Sequence, residues 1–434
     1  MVIKNIGRKI LSNDINRTII KNSSWLFFGT FLSKTFLLLA TIIVARIIGK
    51  SEYGEFGIIR STVSMFMAFA ELGLGLTATK FVSEYKKTAP EKVGKIISLS
   101  NVFSIFFGLF FTVLIIFFSK EIAVSIKASH LEGSIKISAI ILFFSVLNGI
   151  QNGVLVGLES YKSLAKNNIV SGFLSLVFQV LGAYQFGLNG LILGFGFHFL
   201  ILYILNLFSI RKLLDSSFKI KLFSKKNFTE LDILWKFSLP AVLSGILVNP
   251  IIWLSNYFLV NQPNGYNEMA NFDIGNQWRL TILFIPTILA QIALPMLTKN
   301  LKDRDNYKDV FYQNLKINFI VSTFFVIGIV FLSPLILKLY GDQYKDAIGA
   351  FIVIMITTGI LAINNVVGQV LASKSKMWLA FFINLIWGSI MVFCSYILIV
   401  RFNMGALGLS LSYLISYISH TFVQFIVCKK YIKI

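Results

Sequence analysis

Acidic residues are scarce in this chain of 434 residues: 19 Asp and Glu stand against 40 Lys and Arg. Charged residues of both signs make up 14%, where ordinary globular chains carry about 25%. That is too little polar material to coat the two or three soluble domains such a length would form. Only two cysteines are present, Cys394 and Cys428, which excludes a disulfide scaffold and any multi-cysteine metal cluster. Seven prolines beside 15% aromatics exclude fibrous and disordered chains. What is abundant is apolar: 56% of the residues are hydrophobic, and a polytopic helical membrane protein is the class that remains. The formal net charge of +21 would suggest nucleic acid on a soluble domain. On a membrane protein it reads as the cytoplasmic excess of Lys and Arg, with no nucleic-acid partner.

Apolar windows of about 20 residues mark membrane spans. Twelve are expected, near 24–46, 57–79, 97–118, 135–158, 167–186, 188–208, 235–260, 271–297, 317–340, 347–371, 377–400 and 405–427. The first is too long for a signal-peptide core and lacks a clear cleavage site, so it is expected to be a retained helix. Of the Lys and Arg outside the spans, 29 fall in the two tails and the loops after even-numbered spans, and seven in the loops after odd-numbered spans. That asymmetry predicts that both termini are cytoplasmic.

The expected organisation is an all-α bundle in five parts. Residues 1–22 form a basic cytoplasmic segment whose Ile3, Ile6, Ile10 and Leu11 suit an interfacial helix. A six-helix lobe follows over 23–208, then a basic linker over 209–234, a second six-helix lobe over 235–427, and a cytoplasmic tail over 428–434. The two basic segments would lie against anionic membrane lipid, either as surface helices or held by charge alone.

The lobes echo each other. Tyr53-Gly54-Glu55-Phe56 stands opposite Met269-Ala270-Asn271-Phe272 at an offset of 216. Val154-Leu155 stands opposite Val370-Leu371 at the same offset, and Gly190 opposite Gly405 at 215. Six spans per repeat is an even number, so both repeats enter from one side and are parallel, with a central cleft between them suited to alternating access.

Ionisable residues inside spans are costly and generally face a polar cavity or a partner. Lys34, Arg60 and Arg279 are cationic candidates for the cleft, Arg60 and Arg279 from equivalent spans and Lys34 opposite Asn249-Pro250. Arg60 could instead snorkel to the interface. Asp273 lies at the outer mouth of span 8, and Glu71 is the one acid deep in a span. Glu71 reads as a coupling-ion candidate, a counter-charge to Lys34 or Arg60, or a buried protonated acid. Arg60, Ser64, Met67 and Glu71 share one helix face, but Arg60 and Glu71 are about 16 Å apart and cannot pair directly. Amides at Asn256 and Gln277, among others, offer donors and acceptors suited to sugar hydroxyls, although such amides also serve to join helices. Pro240, Pro250, Pro286 and Pro295 predict kinks in spans 7 and 8.

Other chemistry is missing. There is no Gly-x-x-x-x-Gly-Lys-Ser/Thr motif for an ATP-driven pump. His130, His198 and His420 are scattered, and neither metal nor cofactor is implied. Asp303-Arg304-Asp305 has the wording of a nucleotide-sugar metal motif, but its loop is too short for a transferase domain.

Ala45-Arg46-Ile47-Ile48-Gly49, Tyr53-Gly54-Glu55-Phe56-Gly57 and the run from Leu72 to Gly75 through Thr77–Phe81 to Glu84-Tyr85 resemble the polysaccharide-transporter branch of the multidrug/oligosaccharidyl-lipid/polysaccharide exporter superfamily. O-antigen and capsule repeat-unit flippases look most similar. The resemblance is specific in wording over residues 45–85 and extends to the whole chain in helix number and repeat. It implies a non-enzymatic flippase in the bacterial inner membrane, moving an undecaprenyl-diphosphate-linked oligosaccharide outward. It also implies downstream partners, a glycan polymerase and its chain-length machinery. Lys34 and Arg279 match, by helix, the cations of related lipid-linked-glycan flippases; Lys34 stands where an Arg would bind phosphate in a bidentate way. The competing reading is a proton- or sodium-coupled multidrug exporter on the same fold, which would want more acid in the cleft.

Overall fold

The computed structural model of the chain describes residues 14–71, 73–214, 229, 246–374 and 376–429. Most of the expected 209–234 linker and most of the N-terminal basic segment, together with Pro240, lie outside the described residues. All elements found are helical. In chain order they are α1 (Asp14–Ile48), α2 (Lys50–Ala70), α3 (Leu74–Thr88), α4 (Pro90–Phe117), α5 (Glu132–Gly157), α6 (Tyr161–Leu213), α7 (Val248–Val260), α8 (Gly265–Ile282), α9 (Phe284–Lys299), α10 (Arg304–Phe331), α11 (Ile348–Ser373), α12 (Met377–Ser395) and α13 (Gly405–Val427), with short helices at Ser119–Ser125 and Ser333–Tyr340.

Among the described residues, eight helices are long and apolar enough to cross a bilayer, and nine if α2 and α3 count as one bent span. The comparison with the twelve expected windows has local causes. Spans 5 and 6 are the two arms of α6, which part where Phe186 and Gly187 leave helical geometry, Gly187 at φ +55°, so that α6 counts once among the eight. Its arms double back: a Cβ on Gly190 would sit 2.0 Å from the Gly182 carbonyl oxygen, and one on Gly194 would sit 2.5 Å from that of Phe178. Span 2 breaks at Glu71, before Gly73 in the left-handed region, and its halves meet at 46°. Span 8 breaks at Leu283, between α8 and α9. Pro286 has no N–H for the Ile282 carbonyl, which removes the helical bond across that break.

The repeat is visible in side-chain geometry. His130 Nε2 meets Glu55 Oε1 at 2.9 Å, and 216 residues later Asn271 Nδ2 donates to Asp346 Oδ2 at 3.1 Å. Glu268 Oε2 accepts from Ala406 N at 2.7 Å beside Gly405, at φ +54°; Glu52, its counterpart, lies against Gly187. Gly187, rather than Gly190, is therefore the turn residue equivalent to Gly405. The expected 215 offset at this point becomes 218.

The halves meet along α2 and α8. A Cβ on Gly54 would lie 1.8 Å from the Tyr266 carbonyl oxygen, so only glycine lets these backbones approach so closely. The end of the bundle that carries Gly49 and Gly341 is closed by bonds that cross between the halves. Arg46 donates to the carbonyls of Leu339 (2.6 Å) and Lys338 (2.8 Å). Lys50 donates to the Gln343 carbonyl at 2.9 Å and pairs with Asp346 at 2.6 Å, and Tyr344 donates to the Ala45 carbonyl at 3.4 Å. Two more bonds cross between the halves: Lys127 donates to the Asn261 carbonyl at 2.9 Å and Tyr266 to that of Ile126 at 2.6 Å.

Asp303-Arg304-Asp305 is a helix start. Asp303 caps α10, accepting from Asn306 N at 3.2 Å and Asn306 Nδ2 at 2.6 Å. These bonds favour the charged form and hold the Asp303 carboxyl below its usual range. Among the described residues, no group of three or more His, Cys, Asp or Glu could hold a metal.

A cationic cavity between the halves

The close approach at Gly54 does not persist along α2. Toward its C-terminal half a cavity of about 270 Å³ opens between the halves. It is walled by Leu37 and Thr41 of α1, Gly57, Arg60, Ser61 and Ser64 of α2, Gln179 and Phe195 of α6, Asn249 and Asn256 of α7, and Asp273, Asn276, Gln277 and Arg279 of α8. Four of the sequence-predicted residues, Arg60, Asn256, Gln277 and Arg279, therefore share one cavity.

Arg60 forms an ion pair with Asp273 across the α2–α8 contact. Its guanidinium also lies over the Phe56 ring, 5.3 Å from the centroid, and the Gln277 amide, in its hydrogen-bonded orientation, accepts from Arg60 Nη1 at 2.9 Å. Asp273 is 1% exposed. Removing one partner from such a pair leaves an uncompensated charge and costs about 3–5 kcal/mol. This pair was not expected from the sequence, which placed Asp273 at the outer mouth of span 8. The repeat carried the signal: Asp273 is the counterpart of Gly57, one turn from Arg60.

Arg279 is 6% exposed. It donates to Asn276 Oδ1 from Nε at 3.0 Å and from Nη2 at 2.6 Å, and its guanidinium lies 5.3 Å from the Tyr413 ring centroid. Among the described residues it has no acidic partner. The cavity thus holds two guanidinium groups and one carboxylate, and the surplus charge sits on Arg279. A cation so desolvated favours an anion. Asn256 donates to Ser61 Oγ at 2.8 Å, while its Oδ1 is buried without a partner. Asn249 donates to the Ser64 carbonyl at 3.2 Å. The walls thus offer amides beside the charge.

Lys34 and Glu71 lie elsewhere. Lys34 is half-buried on the face of α1 that carries Leu37 and Thr41, one turn and two turns beyond it. It is outside the cavity wall, and among the described residues it forms no ion pair or hydrogen bond. Glu71 lines a separate cavity of about 350 Å³ with Gly75, Thr79, Gly149, Asn152 and Gly153. Among the described residues it pairs with neither Lys34 nor Arg60, so the counter-charge alternative is not seen. Glu71 closes α2 in helical geometry, its N–H on the Met67 carbonyl at 3.0 Å, and the chain turns after it, at Gly73; Met67 itself accepts from Ser145 Oγ through sulfur at 2.9 Å.

Two solved structures place this architecture. One is described as an inward-facing multidrug resistance transporter of the MATE family in the MOP superfamily. It matches at a TM-score of 0.76 and 15% identity over 91% of this chain and 94% of that one. The other is the lipid II flippase MurJ in an inward closed conformation, at a TM-score of 0.74 and 17% identity over 93% of this chain and 87% of that one. At such identities the likeness is one of fold. The chain is a multi-pass, all-helical membrane protein with the fold of that superfamily. Its residues 43–349 match the family described as polysaccharide biosynthesis protein, and the chain belongs to that family. Among relatives, a Shigella flexneri protein named for O-antigen transport is 24% identical over 76% of this chain and 78% of its own length. The EPS I polysaccharide export inner membrane protein EpsE of Ralstonia nicotianae is 27% identical over 42% of this chain and 43% of its own length, so the chain spans less than half the length of that relative. These relatives are transport and export proteins rather than enzymes.

Proposed function

We propose that the chain is a flippase that moves a lipid-diphosphate-linked oligosaccharide, of the kind assembled into O-antigen or capsule, across the bacterial inner membrane. The observation that carries this reading is Arg279, a buried guanidinium without an acidic partner among the described residues, in a cavity lined with amides. The diphosphate supplies the missing anion, Asn256, Gln277 and Asn276 offer donors and acceptors to sugars, and the lipid tail stays in the bilayer. Arg60, held by Asp273 and Gln277, is the fixed part of the same wall, and Lys34 a second cation beyond it. The two halves exchange access to this cavity between the two sides. A polymerase and its chain-length machinery, using the units outside, are the partners next in line.

Both termini are cytoplasmic in this reading, following the 29-to-7 split of basic residues. Impermeant thiol labelling from outside is expected to reach a cysteine introduced at Asn264 and to miss one at Asp303; the reverse pattern overturns the orientation.

Deleting the gene tests the function. Lost surface glycan with accumulated lipid-linked repeat units supports the flippase. Intact glycan with new sensitivity to cationic drugs supports a multidrug exporter instead. The surplus positive charge of the cavity disfavours cationic cargo.

A further inference from the structure

A second cavity, of about 460 Å³, lies wholly within the first half of the chain, on the face of α5 between α4 and the second arm of α6. These two walls each pack on α5, which makes α5 the floor of a groove. Phe106 beside one wall and Ile204 and Phe208 beside the other are exposed apolar side chains, as expected of positions that face lipid. The groove therefore opens to the bilayer rather than to the central cleft.

Its chemistry is layered along the helix axes. Arg211 stands at the mouth in the last turn of α6, exposed and, among the described residues, without an acidic partner. About one turn deeper lie two amides. Asn101 uses its Nδ2 on the Ile97 carbonyl at 2.8 Å. Gln151 is 4% exposed, and neither end of its amide has a hydrogen-bond partner among the described residues. Deeper still the lining is Ile105, Leu147 and Tyr203. A buried amide without a partner is costly, and an unpaired guanidinium at the bilayer edge attracts lipid phosphate.

We propose that this groove binds one anionic glycerophospholipid, with the phosphate on Arg211, an ester carbonyl accepting from Gln151 Nε2 and an acyl chain along Ile105 and Leu147. The order of cation, amide and apolar wall repeats the order of phosphate, ester and chain. A polyprenyl phosphate shares the charge and the chain but has no ester for the amide layer, which selects the glycerolipid. Bound there, the lipid would clamp α4 and α6 to α5 and so stiffen the first half of the molecule.

Native mass spectrometry of the purified full-length protein tests this, with phosphatidylglycerol, phosphatidylcholine and polyprenyl phosphate added in turn. One phosphatidylglycerol per chain is expected to be retained about tenfold more tightly than phosphatidylcholine, as a charge-assisted contact allows. Arg211→Gln is expected to abolish that preference, and Gln151→Leu to weaken both glycerolipids alike. Lys212→Gln, beside the mouth but outside the lining, is expected to leave retention unchanged. Equal retention of the two glycerolipids by the wild type, or retention unaffected by both Arg211→Gln and Gln151→Leu, overturns the site. Displacement of bound phosphatidylglycerol by equimolar polyprenyl phosphate overturns the choice of ligand. None of these outcomes depends on whether the protein exports glycan.

Discussion

Replacing Arg279 with Gln is expected to reduce glycan export by roughly ten- to a hundredfold, while the protein still inserts in the membrane at close to normal amounts. The size follows from a hydrogen-bonded contact to a charged group, worth about 1.5–3 kcal/mol, at about 1.4 kcal/mol per factor of ten. Folding should survive because Arg279 bonds only Asn276 and stacks on Tyr413 among the described residues, so no buried acid is orphaned by the change. Arg279→Lys keeps the charge but loses the planar fork and is expected to fall between the two. Asp273→Asn provides the contrast: it strips Arg60 of its counter-charge and should lower membrane levels as well as export. Surface glycan, accumulated lipid-linked units and immunoblots of membrane fractions separate these outcomes. Full export by both Arg279→Ala and Lys34→Ala would remove the cationic site.

The second large effect concerns the driving force. We propose that Glu71, in its own cavity at the α2–α3 break, exchanges a proton or sodium ion as the halves rearrange. A carboxylate in a cavity lined also by Thr79 and Asn152 offers hard oxygen ligands suited to such a cation. An ion and a substrate that favour different states of the two halves are linked without touching. A monovalent cation crossing 100 mV contributes about 2.3 kcal/mol, which corresponds to roughly fiftyfold accumulation. In liposomes, wild-type flipping is expected to accelerate when a proton or sodium gradient is imposed, and Glu71→Gln to flip at one rate whatever the gradient. Wild-type rates that ignore both gradients would eliminate the coupling and leave consumption of the exported units as the pull.

Composition and window hydropathy were enough to reach the fold class, because a bilayer tolerates few architectures. They could not reveal where single spans bend. The break at Glu71 depends on a single left-handed residue, Gly73, and the reversal in α6 on Gly187. The first interrupts no apolar run, so a hydropathy window passes over it, whereas the expected spans 167–186 and 188–208 already part at Gly187. The cavity residues were legible for a different reason: an arginine or a deep amide in a span is conspicuous wherever it points. Pairings were not legible, since they depend on how the halves dock. Arg60 finds Asp273 only because Gly54 brings α2 and α8 together. Glu71 shares a helix face with Arg60 but stands too far along it to pair, and the structure gives it a cavity of its own. The local wording around residues 45–57 gave no hint that Arg46 and Lys50 reach across to the other half.

Apart from the Lys50–Asp346 ion pair, those crossing bonds share a property that bears on how the chain can evolve. Arg46, Lys50, Lys127, Tyr266 and Tyr344 all donate to main-chain carbonyls, those of Leu339, Lys338, Gln343, Asn261, Ile126 and Ala45. A carbonyl is present whatever side chain the residue bears. The accepting loops can therefore drift in composition without unlocking the closed end, while the five donors cannot. Mutational tolerance around the rim should be lopsided for that reason, with permissive acceptor positions facing intolerant donor positions across the same seam.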